Sequence, residues 1–240
     1  MKKNSSFSNK VVIVTGSSQG IGKAIAIALA KEGAYIVLNG RNQERLSEAE
    51  TELKVYTSNV ISICADVSSI SGSQELIDNT IKHFNKIDIL INNAGYFLPG
   101  KLQDEAAGQL QDQLNTNLFS AYHLTRALLP SMLSRKSGHI FNICSIASLD
   151  AYEHGGAYSI SKFALLGFSK NLRLELKDKG IKVTAVFPGA VFTNSWAGSG
   201  VDPKRIMESS DIAKMIYAAT QLSAQAVVED IVMRPQLGDL

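Results

Sequence analysis

Short runs of β-branched and aliphatic residues alternate along the chain with longer stretches of helical periodicity, and that alternation leaves few folds open. The runs are KVVIVTG (10–16), YIVLNG (35–40), NVISICAD (59–66), IDILINNAG (87–95), GHIFNICS (138–145), IKVTAVFPG (181–189) and VVEDIVMR (227–234). Helical spacing of apolar residues marks 22–34, 42–54, 72–84, 116–133 and 157–180. Strands that are apolar on both faces need cover on both faces, so the pattern predicts a doubly wound α/β fold with a parallel sheet of about seven strands. No low-complexity linker or break in composition divides the chain. The expectation is one domain over 10–240 after a flexible N-terminus at 1–9. Pro130 is expected to kink or end its helix near Leu129. The Gly- and Ser-rich stretch 195–210 reads as a mobile loop beside the site.

Composition removes several classes of function. The 24 basic and 22 acidic residues leave a formal charge of +2 with no long blocks, which gives no footprint for nucleic acid or an anionic membrane. The N-terminal MKKNSSFSN lacks the apolar stretch of a signal peptide, and no apolar run is long enough to span a bilayer, so a soluble cytoplasmic protein is expected. Cys64 and Cys144 sit in apolar runs without metal-type spacing and read as buried thiols in a reducing compartment. His83, His123, His139 and His154 form no ligand cluster by spacing, and Met207 and Met215 read as core.

Two stretches carry chemistry. After the first strand comes TGSSQGIG, with Gly16, Gly20 and Gly22 opening an alanine-rich helix. Glycines there let the backbone turn tightly and approach a pyrophosphate, while backbone N–H groups and the helix dipole face the anion. The second stretch is YSISK, in which Tyr158 and Lys162 stand at i and i+4 on one helix face. Free tyrosine titrates near 10, too high for proton relay at neutral pH. A neighbouring ammonium favours the phenolate, making Tyr158 a candidate general acid toward a carbonyl or base toward an alcohol. Ser145, at the C-terminal end of a predicted strand, is placed to hydrogen-bond the same oxygen. No metal is needed where a phenol supplies the proton.

The T-G-x-x-x-G-x-G turn resembles that of the short-chain dehydrogenase/reductase family, and further landmarks follow in order: Asp66, NNAG (92–95), Asn117, Ser145, Tyr158 with Lys162, and PGAVFT (188–193). The resemblance spans essentially the whole chain and implies a single-domain Rossmann fold. It implies that Gly16, Gly20 and Ile21 line a diphosphate, with Ser18, Gln19 and Gly22 in the same turn. Asp66 and Val67 would contact adenine, and Asn93, Ala94 and Gly95 the adenosine ribose region. Pro188, Gly189, Val191 and Thr193 would border the nicotinamide. Lys162 would hold the nicotinamide ribose as well as lower the pKa of Tyr158, and Asn117 would support a proton-relay water. The C-terminal VVEDIVMRPQLGDL, with NTNLFSAYHLTRALL and PGAVFTNSW, is similar to a subgroup containing bacterial sepiapterin-reductase-type enzymes, which implies a carbonyl reductase.

The end of the second strand reads Asn39-Gly40-Arg41, without the carboxylate that binds a ribose 2′-hydroxyl. Arg41 there favours NADP(H) over NAD(H) through charge-assisted bonds worth roughly 1.5–3 kcal/mol. Trp196 and His154 are candidates for substrate contact; Phe192 and Tyr152 are candidate pocket walls. The expected function is therefore an NADP(H)-dependent oxidoreductase acting on a carbonyl/alcohol pair. The alternative from another class is a non-catalytic NADP(H)-binding sensor, which would need only the glycine turn. In family relatives the segments 116–133 and 157–180 pair between subunits, which implies a homodimer or homotetramer.

Overall fold

The computed structural model describes residues 7–240 apart from residue 197. All seven predicted strands form. They are β1 (Val11–Val14), β2 (Tyr35–Gly40), β3 (Val60–Cys64), β4 (Ile89–Asn92), β5 (Gly138–Ile143), β6 (Ile181–Pro188) and, after two short strands introduced below, β9 (Asp230–Met233). They make one parallel sheet in the order β3-β2-β1-β4-β5-β6-β9. The order reverses between β1 and β4, so their C-terminal ends open a crevice there, the usual ligand position in such sheets. The strands are buried on both faces because helices cover both. Phe141 and Phe187 are fully buried, as are Ile13, Ile36 and Leu90.

The helices follow from local signals. α1 (Gly20–Lys31) starts two residues before the periodicity predicts, so Gly20 and Gly22 lie in its first turn. Asn42 caps α2 (Gln43–Leu53) by accepting from the Arg45 amide at 2.9 Å. Ser69 caps α3 (Ile70–Phe84) in the same way, accepting from Gly72 at 3.0 Å. Gly72 is required at its place: a Cβ would stand 2.2 Å from the Asp66 carbonyl oxygen. Gly72→Ala should therefore force the 66–72 turn apart at a cost of about 1–3 kcal/mol. At roughly 2–4 °C per kcal/mol for a domain of this size, calorimetry should show the melting temperature fall accordingly.

The predicted helix over 116–133 falls on a π-helical turn (Asn115–Phe119) and most of α5 (Ser120–Arg135), and a further helix, α4 (Gln109–Leu114), precedes them. Pro130 does not end α5 at Leu129. It lies on the exposed face, as does Arg126, so water can satisfy the Arg126 carbonyl that loses its partner. α6 (Gly156–Leu176) carries Tyr158 and Lys162. Its N-terminus is closed from a distance by Glu105, whose Oε1 accepts from the Ala157 amide at 2.6 Å.

The stretch 195–210 is not one loop. It holds 3₁₀ turns at Asn194–Trp196 and Pro203–Arg205, and the strand β8 (Met207–Glu208) paired with β7 (Val191–Phe192). Ser209 and Ser210 already belong to α7 (Ser209–Thr220). That helix packs on α1 through Ile212, Ala213 and Ile216. Met207 packs partly against the core, but Met215 is exposed on the outer face of α7. Cys144 is buried; Cys64 is not, because β3 is the edge strand and Cys64 is its last residue. Phe7, within the N-terminal segment expected to be flexible, is 2% exposed and meets Tyr217 edge-on. The rest of the segment expected to be flexible, residues 1–6, lies outside the described residues. Among those described, no helix is long and apolar enough to cross a membrane.

Candidate active site

The crevice between β1 and β4 is stitched open by short hydrogen bonds. Thr15 Oγ1 accepts from the amides of Asn93 and Ala94, both at 2.9 Å. Asn93 Nδ2 donates back to the carbonyls of Thr15 and Gly16 at 2.9 and 3.1 Å. Gly16 and Gly20 take φ values of +60° and +59°, a region that disfavours a side chain. A Cβ on Gly22 would fall 2.5 Å from both the Gly16 carbonyl and Asn93 Nδ2. The result is a bare backbone turn at the N-terminus of α1, which suits an anion.

From that turn a cleft of about 740 Å³ runs across the C-terminal edge of the sheet. Gly16, Gln19, Gly20 and Ile21 line one end, and Pro188, Gly189, Val191 and Thr193 the opposite wall. Asn93, Gly95, Ser145, Tyr158, Lys162 and Trp196 also face it. Asn194 Nδ2 donates to Gln19 Oε1 at 3.2 Å and so bridges the turn to the loop after β6. Ser18, Gly22, Arg41, Asp66, Val67 and Ala94 are not among the lining residues. Arg41 is exposed immediately after β2, close enough to Tyr96 for its charge to act on that phenol. Ser18 Oγ lies 3.8 Å from where a Gly40 Cβ would be, at the same strand end. Asn39, the other polar residue there, is turned inward and donates to the carbonyls of Ile63 and Ala65. Asp66 is exposed, with one carboxylate oxygen held by the amide and hydroxyl of Ser68, while the Val67 side chain packs into the core.

The catalytic candidates converge on the middle of the cleft. Ser145 is 6% exposed and extended; its hydroxyl accepts from the Ala147 amide at 3.2 Å, and Ser148 Oγ accepts from the Ser145 amide. Burial pushes the Tyr158 hydroxyl up to about 12, opposed by its hydrogen bond with Ser145. Burial pushes the Lys162 ammonium down to about 8. Its Nζ donates to the Ile143 carbonyl at 2.8 Å and lies 5.9 Å from the Tyr158 ring centroid. Among the influences on the Tyr158 hydroxyl, loss of water is the largest and raises its pKa, and the hydrogen bond with Ser145 lowers it.

Asn117 does not line the cleft. It sits in the π-helical turn, 1% exposed, where Oδ1 accepts from the Tyr96 amide at 2.9 Å. Its Nδ2 donates to Ser161 Oγ at 2.9 Å and to the Tyr96 carbonyl at 3.2 Å. The side chain therefore locks the segment after NNAG onto α6, one residue from Lys162. His154 is also outside the lining; it is exposed, takes φ +64° and stands 3.5 Å from Glu153. Tyr152 lines the cleft and Phe192 does not.

A sequence model described as short chain dehydrogenase matches residues 10–203. The chain belongs to the short-chain dehydrogenase family. An uncharacterized oxidoreductase of Staphylococcus epidermidis is 36% identical over 227 residues, 94% of this chain and 97% of the relative. A sepiapterin reductase of Chlorobaculum tepidum is 32% identical over 238 residues, 96% of this chain and 98% of that one. The crystal structure of a metagenomic short-chain oxidoreductase in complex with NADP superposes with a TM-score of 0.84 at 30% identity, covering 97% of this chain and 99% of the other.

Several residues of this short-chain dehydrogenase site carry no local signal in the sequence. Phe97 stands edge-on to Tyr158 with ring centroids 4.8 Å apart. Gln113, fully buried, accepts from Asn117 and donates to the Leu98 carbonyl at 2.9 Å. Arg234 and Asp239, beyond the last strand, return to the cleft.

The two shifted groups cost stability in opposite pH ranges. Lys162 titrates near 8 when folded, below its ordinary 10.5, so the cost of burying its ammonium is fully present below about 8 and is relieved as pH rises. Tyr158, raised from 10.0 to about 12, removes stability only above about 10. Without cofactor, Lys162→Met should melt higher than the parent at neutral pH. That advantage should shrink steadily between about pH 8 and 10 in thermal scans.

Proposed function

We propose that the protein is an NADP(H)-dependent carbonyl reductase. The observation that carries this reading is the meeting of Tyr158, Ser145 and Lys162 in one cleft with the bare glycine turn. The residues present fit the coenzyme. The turn offers backbone amides and a helix N-terminus to a diphosphate, and the β2 end offers Arg41 and Ser18, with Asn39 turned away and no carboxylate to repel a 2′-phosphate. Asp66 with the Val67 backbone, and Asn93 with Ala94 and Gly95, are assigned to the adenosine half; Pro188, Gly189, Val191 and Thr193 are assigned to the nicotinamide half. Bound NADPH supplies the hydride that reduces the carbonyl carbon.

The chain's own residues do the rest. Ser145 donates a hydrogen bond to the substrate oxygen and steadies the charge that develops there. Tyr158, kept protonated by burial, delivers its proton to that oxygen. Lys162 would hold the ribose hydroxyls through Nζ, and its ammonium would offset the charge left on the phenolate. Asn117 holds the Tyr96 segment and Ser161 around the lysine, where a relay water returns the proton. The compartment that goes with this reading is the cytoplasm.

Ketones, aldehydes, diketones and pterins assayed by NADPH absorbance, with NADH in parallel, test the proposal. Consumption of NADPH with at least one carbonyl, slower with NADH, is the expected result. No consumption with any of them would overturn it and favour a sensor. The assembly proposed is a homodimer or homotetramer through α5 and α6, whose outer faces expose Tyr122, Leu133, Ile160 and Phe163. Sedimentation at micromolar concentration should show no monomer as the main species.

A further inference from the structure

Beyond Tyr158 and Ser145 the cleft is walled by two kinds of side chain. The first is aromatic: Phe97 and Tyr152, 45% and 43% exposed, with Trp196 from the loop after β7. The second is ionic and comes from the chain's tail. Arg205 donates to the carbonyls of Leu237, Gly238 and Asp239 at 3.3, 3.0 and 3.1 Å, and Gly238 turns at φ +84°. This strap lays Asp239 against Gly189, where a Cβ would lie 3.2 Å from its Oδ1. Arg234 is ion-paired with Asp239 and stands 3.8 Å from Asp150. Among the described residues, the charged side chains lining the cleft are Asp150, Lys162, Arg234 and Asp239. Lys162 is held by the Ile143 carbonyl, which leaves one guanidinium between two carboxylates at the substrate end.

We propose that this end selects an uncharged carbonyl compound with a planar aromatic or conjugated portion, and that Asp239 and Asp150 exclude carboxylate- and phosphate-bearing compounds by occupying Arg234. The inference rests on the carbonyl-reductase reading and narrows its substrate class. An incoming anion would have to displace Asp239 from Arg234 and then sit beside the carboxylate it displaced, so the discrimination is built from repulsion as well as attraction. The aromatic walls offer faces and edges to a flat ring, which they contact favourably at low entropic cost.

Two dicarbonyls that share a phenyl ring test this: 1-phenylpropane-1,2-dione, which is neutral, and benzoylformate, which carries a carboxylate in place of the acetyl group. At saturating NADPH the parent protein should favour the dione in kcat/KM by at least about tenfold, the scale of one like-charge contact. In Asp150→Asn/Asp239→Asn the ratio should move toward benzoylformate by at least about as much, because Arg234 is released. Trp196 is the chain's single tryptophan, so quenching of its emission reports binding without turnover. With NADP⁺ present, the dione should quench at lower concentration than benzoylformate. Equal or reversed binding of the two compounds in the parent protein would overturn the inference, whether or not the double variant folds. A double variant that folds but leaves the ratio unmoved would overturn the role of the two aspartates. Failure of both compounds to be reduced, with the dione still bound preferentially at Trp196, would count against the reductase reading and leave the selectivity standing.

Discussion

Tyr158→Phe is expected to slow carbonyl reduction at least about a hundredfold, the lower bound for losing a positioned general acid. The ring keeps its place, since Phe97 meets it edge-on and needs only the aromatic face, so NADPH should still bind. Phenylalanine has no proton to offer at that position. Burial holds the phenol protonated up to about 12, so at neutral pH it is a proton donor with no competing ionised fraction. Water is a poor substitute in a cleft walled by Phe97, Tyr152 and Trp196. Steady-state turnover and direct titration of NADPH on the same variant separate the two quantities. Near-normal turnover would remove Tyr158 from the mechanism.

Arg41→Asp is expected to weaken NADPH binding by about 10–150-fold, which corresponds to roughly 1.5–3 kcal/mol of charge-assisted hydrogen bonding to the 2′-phosphate. The new carboxylate repels that phosphate and can accept from a free ribose 2′-hydroxyl, so NADH should become the better coenzyme. The position favours a large change because the polar residues beside it carry no charge: Asn39 is committed to the Ile63 and Ala65 carbonyls, and Ser18 offers only a hydroxyl. Binding titrations with both coenzymes read the switch. An unchanged NADPH affinity would show that Arg41 is simply a solvated residue at the start of α2.

Much of the fold is legible in the chain because the signals are local. Apolar runs mark every strand of the large sheet, five of the seven with a glycine at one end, and the i, i+4 spacing of Tyr158 and Lys162 places both on one helix face. Sequence and structure part where distant contacts decide. A serine pair and Asp211 open α7, but its apolar face is explained only by α1 lying against it. Pro130 is tolerated because its turn of α5 is exposed, and Cys64 is uncovered because β3 ends the sheet. Asn117 is recognisable by resemblance, yet its setting in a π-helical turn, bonded to Tyr96 and Ser161, depends on residues far along the chain. The pKa of Tyr158 shows the same limit. Spacing supplies the neighbouring ammonium, but only the packed structure shows that burial raises the phenol. The tail from Arg234 to Asp239 is recognisable by resemblance, but its return to the cleft has no local signal, since it depends on the Arg205 strap.

Reduction by this route requires a coenzyme lying with its reactive carbon beside Tyr158 and a carbonyl between them. NADPH labelled with deuterium at one or the other of its two C4 positions tests this directly, with the reduced product read by mass spectrometry. One label should pass to the carbinol carbon of the product and the other should stay on the coenzyme, because the cleft presents a single face. Product free of deuterium from either label, or equally labelled from both, would contradict it.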